Sequence, residues 1–299
     1  MAIAIARANG GWISGLIGIV IFSGSLPATR IAVMDFDPVF LTVARATIAG
    51  AIAVVLLLVA QSSRKSYPSR PEGSEWISLL VVAGGVVVGF PLLTALALEH
   101  ITSARSVVYI GLLPLSTAIF GVLRGGDRPR AVFWLFSILG SALVVGFAAS
   151  GGSGNSGAVR GDLLMLGAII VCGLGYAEGG RLSRRLGGWQ VISWALVISL
   201  IPMAGLCFAV WPTSFDNIGV NAWLGLGYVS LFSMLIGFFF WYRGLARGGI
   251  AAVGQLQLLQ PFLGLMLASA LLAEPVGGAM IAVTLGVVAC VAGAKRFAR

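Results

Sequence analysis

Residues 38–60, PVFLTVARATIAGAIAVVLLLVA, hold a single charged side chain, Arg45, in 23 positions. A helix needs about 20 apolar residues to cross the hydrocarbon core of a bilayer, so this stretch is long enough to span a membrane. The rest of the chain has the same character, because 59% of its 299 residues are hydrophobic and only 10% are charged. Soluble domains are about a quarter charged. The sequence therefore predicts a protein that is solvated mainly by lipid.

Nine more apolar stretches flank this one, and together they predict ten transmembrane helices. Helices rather than strands are expected because the stretches are long and lack the short polar–apolar alternation of membrane barrels. The predicted spans are residues 12–33, 38–60, 76–98, 103–123, 131–149, 161–180, 189–210, 222–242, 251–273 and 276–294. The predicted fold class is an all-α membrane protein.

Lys and Arg residues set the predicted orientation. They concentrate in every second connection, from residues 64–70 after the second span to residues 295–299 at the end of the chain. Basic connections face the cytoplasm, so both termini are predicted to be cytoplasmic in a multi-pass protein of a bacterial inner membrane. The net charge of +9 does not indicate a nucleic-acid partner, because the basic residues form no single patch or stripe.

The chain shows an internal duplication on either side of a flexible Gly/Ser-rich segment. We predict a first repeat at residues 1–149, an outer linker at 150–160 and a second repeat at 161–299. The halves match at a constant shift of 147 residues, which pairs Trp76 with Trp223, Pro114 with Pro261 and Asp127 with Glu274. Because each repeat has five helices, an odd number, the second enters the membrane upside down. Inverted repeats place a binding site near the bilayer midplane and work by alternating access.

Three stretches resemble the EamA-type transporters of the drug/metabolite transporter superfamily: residues 245–261, LARGGIAAVGQLQLLQP, the run from 97 to 114, and residues 37–45. The resemblance covers nearly the whole chain, once per half. It implies ten helices, inverted halves and the export or exchange of small metabolites. The branch that exports aromatic amino acids looks most similar. Asp127 departs from the family, which usually has Glu there, and we expect this change to affect a loop contact.

Aromatic side chains are the first candidates for a substrate site. Tyr109 and Tyr176 offer a hydroxyl beside an aromatic face, which suits an amino-acid side chain, and Trp194 and Phe90 can form apolar walls. Core packing is the alternative for each of the four.

Glutamines in the ninth predicted span are the second group of candidates. Gln257 and Gln260 share a helix face, whereas Gln255 points elsewhere. An amide at membrane depth faces protein or water, and its donor and acceptor suit a zwitterionic substrate. An interhelical hydrogen bond is the alternative.

Small polar residues and prolines interrupt several spans. Ser23, Ser25 and Pro27 fit a hinge or a cavity wall in the first span, and also fit close helix packing. Pro114 and Pro261 lie near the middle of the fourth and ninth spans. Proline frees a backbone carbonyl there, so both are predicted to kink their helices around a central cavity, with packing alone as the alternative.

Three charged or titratable residues have open roles. Arg45 is interpreted as structurally paired, with Asp37 or helix-end carbonyls, and substrate binding is the alternative. Glu178 is interpreted as an i, i+3 partner of Arg181, with proton coupling as the alternative. His100 has no second His or Cys nearby, so we predict no metal site and consider an outer gate contact for it.

The function predicted from these features is an inner-membrane carrier that exports amino acids, including aromatic or other neutral ones, or similar small metabolites. No phosphate-binding loop or catalytic set is present, so we predict neither an enzyme nor a cofactor. No span carries a carboxylate near its centre, which favours a facilitator or a weakly coupled carrier.

Efflux of drugs or quaternary amines is one alternative function. A non-transporting subunit in lipid flipping or assembly is another. The predicted partners are a small-molecule substrate and the bilayer, and both halves lie in one chain, so a monomer suffices.

Overall fold

A computed structural model describes residues 2–62, 70–101, 106, 109–150, 158–260, 262–264, 266–267 and 278–298. All regular secondary structure within these ranges is helical. In the first half the helices are α1 (Ala2–Ser23), α2 (Ser25–Val33), α3 (Pro38–Ser62), α4 (Glu75–Val82), α5 (Phe90–His100), α6 (Leu113–Gly125) and α7 (Ala131–Ser150). In the second half they are α8 (Ala158–Leu182), α9 (Gly188–Ala209), α10 (Val220–Tyr228), α11 (Gly237–Gly248), α12 (Ile250–Gly254) and α13 (Gly278–Phe297).

Six helical segments among the described residues are long and apolar enough to cross a membrane. They are Gly10–Val33, Pro38–Gln61, Glu75–His100, Val159–Leu182, Gly188–Ala209 and Val220–Gly248. Each matches a predicted span to within a few residues. Two shorter apolar helices, Leu113–Gly125 and Ala131–Gly146, lie within two further predicted spans. The chain is an all-helical, multi-pass membrane protein.

Two of the long segments contain a wide π-helical turn. One turn, Ala83–Gly89, joins α4 to α5, and the other, Val229–Ile236, joins α10 to α11. Such turns are rare and occur often at functional sites. Both lie near the middle of their segments, at positions related by the 147-residue shift.

The fourth and ninth predicted spans are not continuous α-helices where they are described. In the fourth, Gly111 and Leu112 form a turn, and α6 begins at Leu113. Pro114 therefore lies in the first turn of a helix rather than in its middle, where the missing N–H leaves no hydrogen bond unmade. In the ninth, a 3₁₀ turn over Gln255–Leu259 follows α12. Pro261 lies outside the described residues.

Small residues bring long helices into close antiparallel contact. A Cβ on Gly11 of α1 would lie 2.6 Å from the backbone nitrogen of Gly248, and a Cβ on Gly18 would lie 3.1 Å from that of Trp241. Later residues of α1 therefore contact earlier residues of α11, which means that the two helices run antiparallel. Such close approach of backbones is how helices associate in lipid.

The helices α3 and α9 also pack antiparallel. The ring centroid of Phe40, near the start of α3, lies 5.9 Å from that of Trp211, just beyond the end of α9. Further along α3, a Cβ on Gly50 would lie 3.1 Å from the carbonyl oxygen of Leu196. In the same way α7 opposes α13, with Phe136 stacked on Phe297.

Many exposed side chains on the long helices are large and apolar. Val55 on α3 is 58% exposed, and Ile201 on α9 is 83% exposed. Such surfaces are a liability in water, whereas in a bilayer they contact acyl chains. The buried core between the helices includes the fully enclosed rings of Trp241 and Tyr242.

Candidate functional site

A cavity of about 50 Å³ lies inside the helical bundle. A water needs roughly 10–15 Å³ of such space, so the cavity holds a few waters or one small solute. Its apolar lining is Phe22, Leu26, Val86, Phe90, Pro91, Ile110, Leu113 and Phe238. Its polar and sulfur-containing lining is Ser25, Thr29, Arg45, Thr94, Cys172, Tyr176, Ser233 and Gln260. Both halves of the sequence contribute.

Most of these lining residues occur in pairs at the 147-residue shift. The pairs are Ser25 with Cys172, Thr29 with Tyr176, Val86 with Ser233, Pro91 with Phe238, and Leu113 with Gln260. Val86 and Ser233 lie in the two π-helical turns. Positions 147 residues apart in the two halves of the sequence thus face the same space.

Arg45 forms the charged part of the cavity wall. It is only 8% exposed, and its Nη2 donates to Ser233 Oγ at 3.3 Å. Ser25 Oγ donates to the same hydroxyl oxygen at 2.8 Å. The Nε of Arg45 has no hydrogen-bond partner among the described residues.

The expected pairing of Arg45 with Asp37 is wrong. Asp37 Oδ1 instead accepts the backbone N–H groups of Val39 at 2.8 Å and Phe40 at 2.9 Å. Asp37 therefore caps the start of α3, which is a preferred role for an aspartate before a helix. No carboxylate in the described part of the chain lies within salt-bridge distance of Arg45.

Two further polar atoms of the lining have no partner in the described structure. They are Oγ1 of Thr94, which is 4% exposed, and Oε1 of Gln260, which is 9% exposed. Gln260 Nε2 makes only a long contact of 3.5 Å to the carbonyl of Phe22. Buried polar atoms normally find partners, so these atoms and Arg45 Nε give the cavity unused capacity to bind water or solute.

Four residues predicted for the substrate site line this cavity: Phe90, Tyr176, Ser25 and Gln260. Tyr176 is held edge-on against Trp241, with their ring centroids 5.4 Å apart. These placements bring together residues from α2, α5, α8 and the segment after the 3₁₀ turn.

The other predicted site residues lie elsewhere. Gln257 is fully buried and donates to Thr117 Oγ1 at 3.1 Å, which is the interhelical alternative. The Trp194 ring packs edge-on against that of Trp76 at 5.7 Å. Ser23 Oγ donates to the carbonyl one turn earlier, at 2.7 Å.

Tyr109 and Pro27 are half-buried outside the cavity lining. Tyr109 packs against the core instead, next to the cavity residue Ile110. His100 is exposed at the end of α5. Sequence reasoning missed Thr94 and Ser233 as lining residues. The one signal for Ser233 was its position, 147 residues after Val86 in a matching repeat.

Charged residues cluster at one end of the bundle. Glu178 is fully buried, and its carboxylate accepts hydrogen bonds from Arg181 at 2.8 Å, Arg124 at 3.0 Å and Ser78 at 2.8 Å. The predicted pair of Glu178 with Arg181 is confirmed, and Arg124 and Ser78 join it from other helices. The group therefore ties α4 and α6 to α8.

Asp127 extends this group to α12. Its Oδ2 accepts the N–H of Ala251 at 2.7 Å, at the start of α12, and its Oδ1 accepts from Arg184 at 3.1 Å. Asp127 thus holds the connection between α6 and α7 against α12 and the turn after α8, and the effect of having Asp rather than Glu there stays a prediction. We call Ser78, Arg124, Asp127, Glu178, Arg181 and Arg184 the ionic end of the molecule.

Aromatic rings gather at the opposite end, where α3 begins and α9 ends. The centroids of Phe36 and Trp223 are 5.0 Å apart, and those of Trp211 and Phe215 are 5.5 Å apart. Phe40 contacts both Trp211 and Phe215. We call Phe36, Phe40, Trp211, Phe215 and Trp223 the aromatic end. The cavity lies between the two ends.

Comparisons with known proteins agree with this architecture. The sequence profile of the EamA-like transporter family matches residues 9–148 and again residues 159–294. The uncharacterized transporter YdeK of Bacillus subtilis is 65% identical over 98% of this chain and 99% of its own. An uncharacterized transporter of Archaeoglobus fulgidus is 25% identical over 81% of this chain and 82% of its own.

A protein of known crystal structure has the same fold, with a TM-score of 0.79 at 22% identity over 97% of this chain and 98% of that one. The family and the relatives are transporters, so the chain is a non-enzymatic membrane transporter. On the double profile match and the 65% identity, it belongs to the EamA-like transporter family.

Proposed function

We propose that the protein is a carrier that exports amino acids or similar small metabolites across a bacterial inner membrane by alternating access. The observation that carries this proposal is the cavity, whose lining residues occupy equivalent positions in the two halves and include unpartnered polar atoms. A solute held there would touch both halves. Rocking the halves would then pass it from one side of the membrane to the other.

The proposed architecture is ten helices in two inverted five-helix repeats, residues 1–149 and 161–299, joined by a linker at 150–160. The relative directions of the helices support this architecture. The helices α3 and α9 are repeat equivalents at the 147-residue shift and run antiparallel, as do α7 and α13. Equivalent helices of a parallel duplication would not be inverted with respect to each other.

In this scheme both termini are cytoplasmic, and so is the ionic end. The proposal rests on the basic residues of the alternate connections, which include Arg124, Arg181 and Arg184. The ionic end would act as the inner gate and the aromatic end as the outer gate. Export would load substrate while the ionic end is open and release it while the aromatic end is open.

The cavity favours amino acids over drugs or quaternary amines. Arg45 is the only charged residue among the described residues that line it. A cation placed 5 Å from the guanidinium would be repelled by about 3 kcal/mol at an effective dielectric constant of 20. The aromatic rings of Phe22, Phe90 and Tyr176 add surface that suits an aromatic or other neutral side chain.

Purified protein in liposomes preloaded with labelled amino acids tests the proposal. We expect efflux of at least one of them from liposomes that contain the wild type. A Val86→Trp variant should block the cavity and abolish this efflux, because Val86 is 2% exposed on the cavity wall. The matched control is Val55→Trp, at a position 58% exposed to lipid, which should transport normally. Absence of flux for every amino acid would overturn the proposal, as would equal flux through both variants.

A further inference from the structure

The guanidinium of Arg45 lies in the cavity wall, and no carboxylate of the described residues pairs with it. A guanidinium has five N–H donors, yet the structure gives Arg45 one hydrogen bond from Nη2, to the neutral hydroxyl of Ser233. Its Nε has no partner in the described part of the chain. An unpaired charge at membrane depth is costly unless it binds something or is hydrated. The guanidinium of Arg45 is therefore able to bind an anion.

The other polar groups of the described cavity lining do not supply that anion. Ser25 and Ser233 are hydroxyls, and Ser25 already donates to Ser233. Thr94 and Gln260 each line the cavity with an unpartnered oxygen, and both side chains are more than nine-tenths buried. Gln260 Oε1 only accepts hydrogen bonds, and the Thr94 hydroxyl can accept as well as donate, so both can take a donor such as an ammonium group.

Much of the remaining cavity lining is apolar and aromatic. Phe22, Phe90 and Phe238 line the cavity together with the ring of Tyr176. A guanidinium fork matches a carboxylate in geometry, because two parallel N–H groups can reach its two oxygens. The site therefore combines an anion-binding pole with an aromatic wall.

We infer that Arg45 binds the carboxylate of the transported solute, and that the carrier selects small carboxylates with an apolar or aromatic portion over organic amines. This inference rests on the proposed transport function and names its substrate class. An α-amino acid fits fully, because Thr94 and Gln260 can accept from its ammonium group. A plain monocarboxylate fits in part, whereas an amine without a carboxylate does not fit.

Three ligands with the same ring test this assignment: L-phenylalanine, 3-phenylpropionate and 2-phenylethylamine. Binding is measured by calorimetry on the purified full-length protein, and chloride and inorganic phosphate are added in separate arms. We expect the first two ligands to bind and the amine to bind at least tenfold more weakly. Arg45→Gln should weaken both carboxylates at least tenfold and strengthen binding of the amine, because the repulsion by the guanidinium is lost. Arg45→Lys should keep part of the affinity for the carboxylates.

A thermal-unfolding scan separates a binding role from a structural one. If Arg45 only held helices together, Arg45→Gln would lower the Tm, whereas removal of an unpaired buried charge should leave the Tm equal or higher. The matched control is Arg243→Gln, at an exposed position on α11, which should change neither binding nor Tm. Failure of both carboxylates to bind the wild type would overturn the inference, and so would full carboxylate affinity in Arg45→Gln or tighter binding of the inorganic anions. If the amine is transported while the carboxylates are not, the carrier function stands and this assignment falls.

Discussion

The two ends of the molecule are closed by different chemistry. At the ionic end a buried carboxylate, Glu178, holds two arginines that are about half exposed, at 52% and 41%. At the aromatic end rings pack mainly edge to face, and beside them the N–H of Gly219 donates to Asp35 Oδ2 at 2.9 Å, from the second half of the sequence to the first. Salt screens partly exposed ion pairs and so weakens the contacts of the ionic end. Contacts between packed rings involve no charge, so salt does not screen them. We therefore expect that each end can be loosened without loosening the other.

Glu178→Gln should have the largest effect, and it should act at the ionic end only. The substitution keeps the shape but leaves Arg124 and Arg181 without a carboxylate. Breaking a buried pair costs about 3–5 kcal/mol, and we expect about 2 kcal/mol here because both arginines are partly hydrated. A reporter cysteine at Ser183, which is 7% exposed, should react faster with a water-soluble thiol reagent. An unchanged rate there would mean that the carboxylate does not hold this end closed.

Phe40→Ala should have a smaller effect, at the opposite end. Phe40 is 3% exposed and contacts three rings. Aromatic pairs contribute about 0.5–1.5 kcal/mol each, and lipid can partly refill the space, so we expect a loss of about 1 kcal/mol. A reporter cysteine at Ala222, which is 1% exposed, should become more reactive while the one at Ser183 does not. Faster reaction at both reporters would show that the ends are not independent.

Glu75→Gln should have the smallest effect and serves as the control for Glu178→Gln. Glu75 pairs with Arg185 beside the ionic end, but both side chains are partly exposed, at 20% and 44%. Exposed pairs contribute about 0.2–1 kcal/mol. The Ser183 reporter should therefore change little, and molar salt should remove the difference from wild type. If Glu75→Gln raised the labelling rate at Ser183 as much as Glu178→Gln does, the buried carboxylate would have no special role in holding this end together.

The long spans were predictable from sequence because lipid demands uninterrupted apolar helices. Their internal breaks were not, since Gly111–Leu112 and the 3₁₀ turn lie within equally apolar sequence. At the site, Tyr176 and Gln260 could be selected as polar groups at membrane depth. Gln257 looked equivalent to Gln260, yet it bonds Thr117, because neighbouring helices decide which amide faces the cavity.

For charged residues too, the sequence predicted local contacts better than contacts between distant helices. The i, i+3 rule found the contact of Glu178 with Arg181, but Arg124 and Ser78 come from distant parts of the chain. Arg45 was expected to pair with Asp37 or helix-end carbonyls because an unpaired charge inside a span is costly. Asp37 instead accepts the backbone N–H of Phe40 at the start of α3, and Arg45 donates to Ser233 from the second half of the chain.

Access to the cavity from both sides of the membrane tests the central claim most directly. A cysteine at Val86, in a variant whose three native cysteines are replaced, would be labelled with a membrane-impermeant reagent in right-side-out and in inverted vesicles. The account predicts labelling from both sides, with Glu178→Gln favouring the ionic side and Phe40→Ala favouring the aromatic side. Labelling from one side only, in all three backgrounds, would contradict alternating access through this cavity.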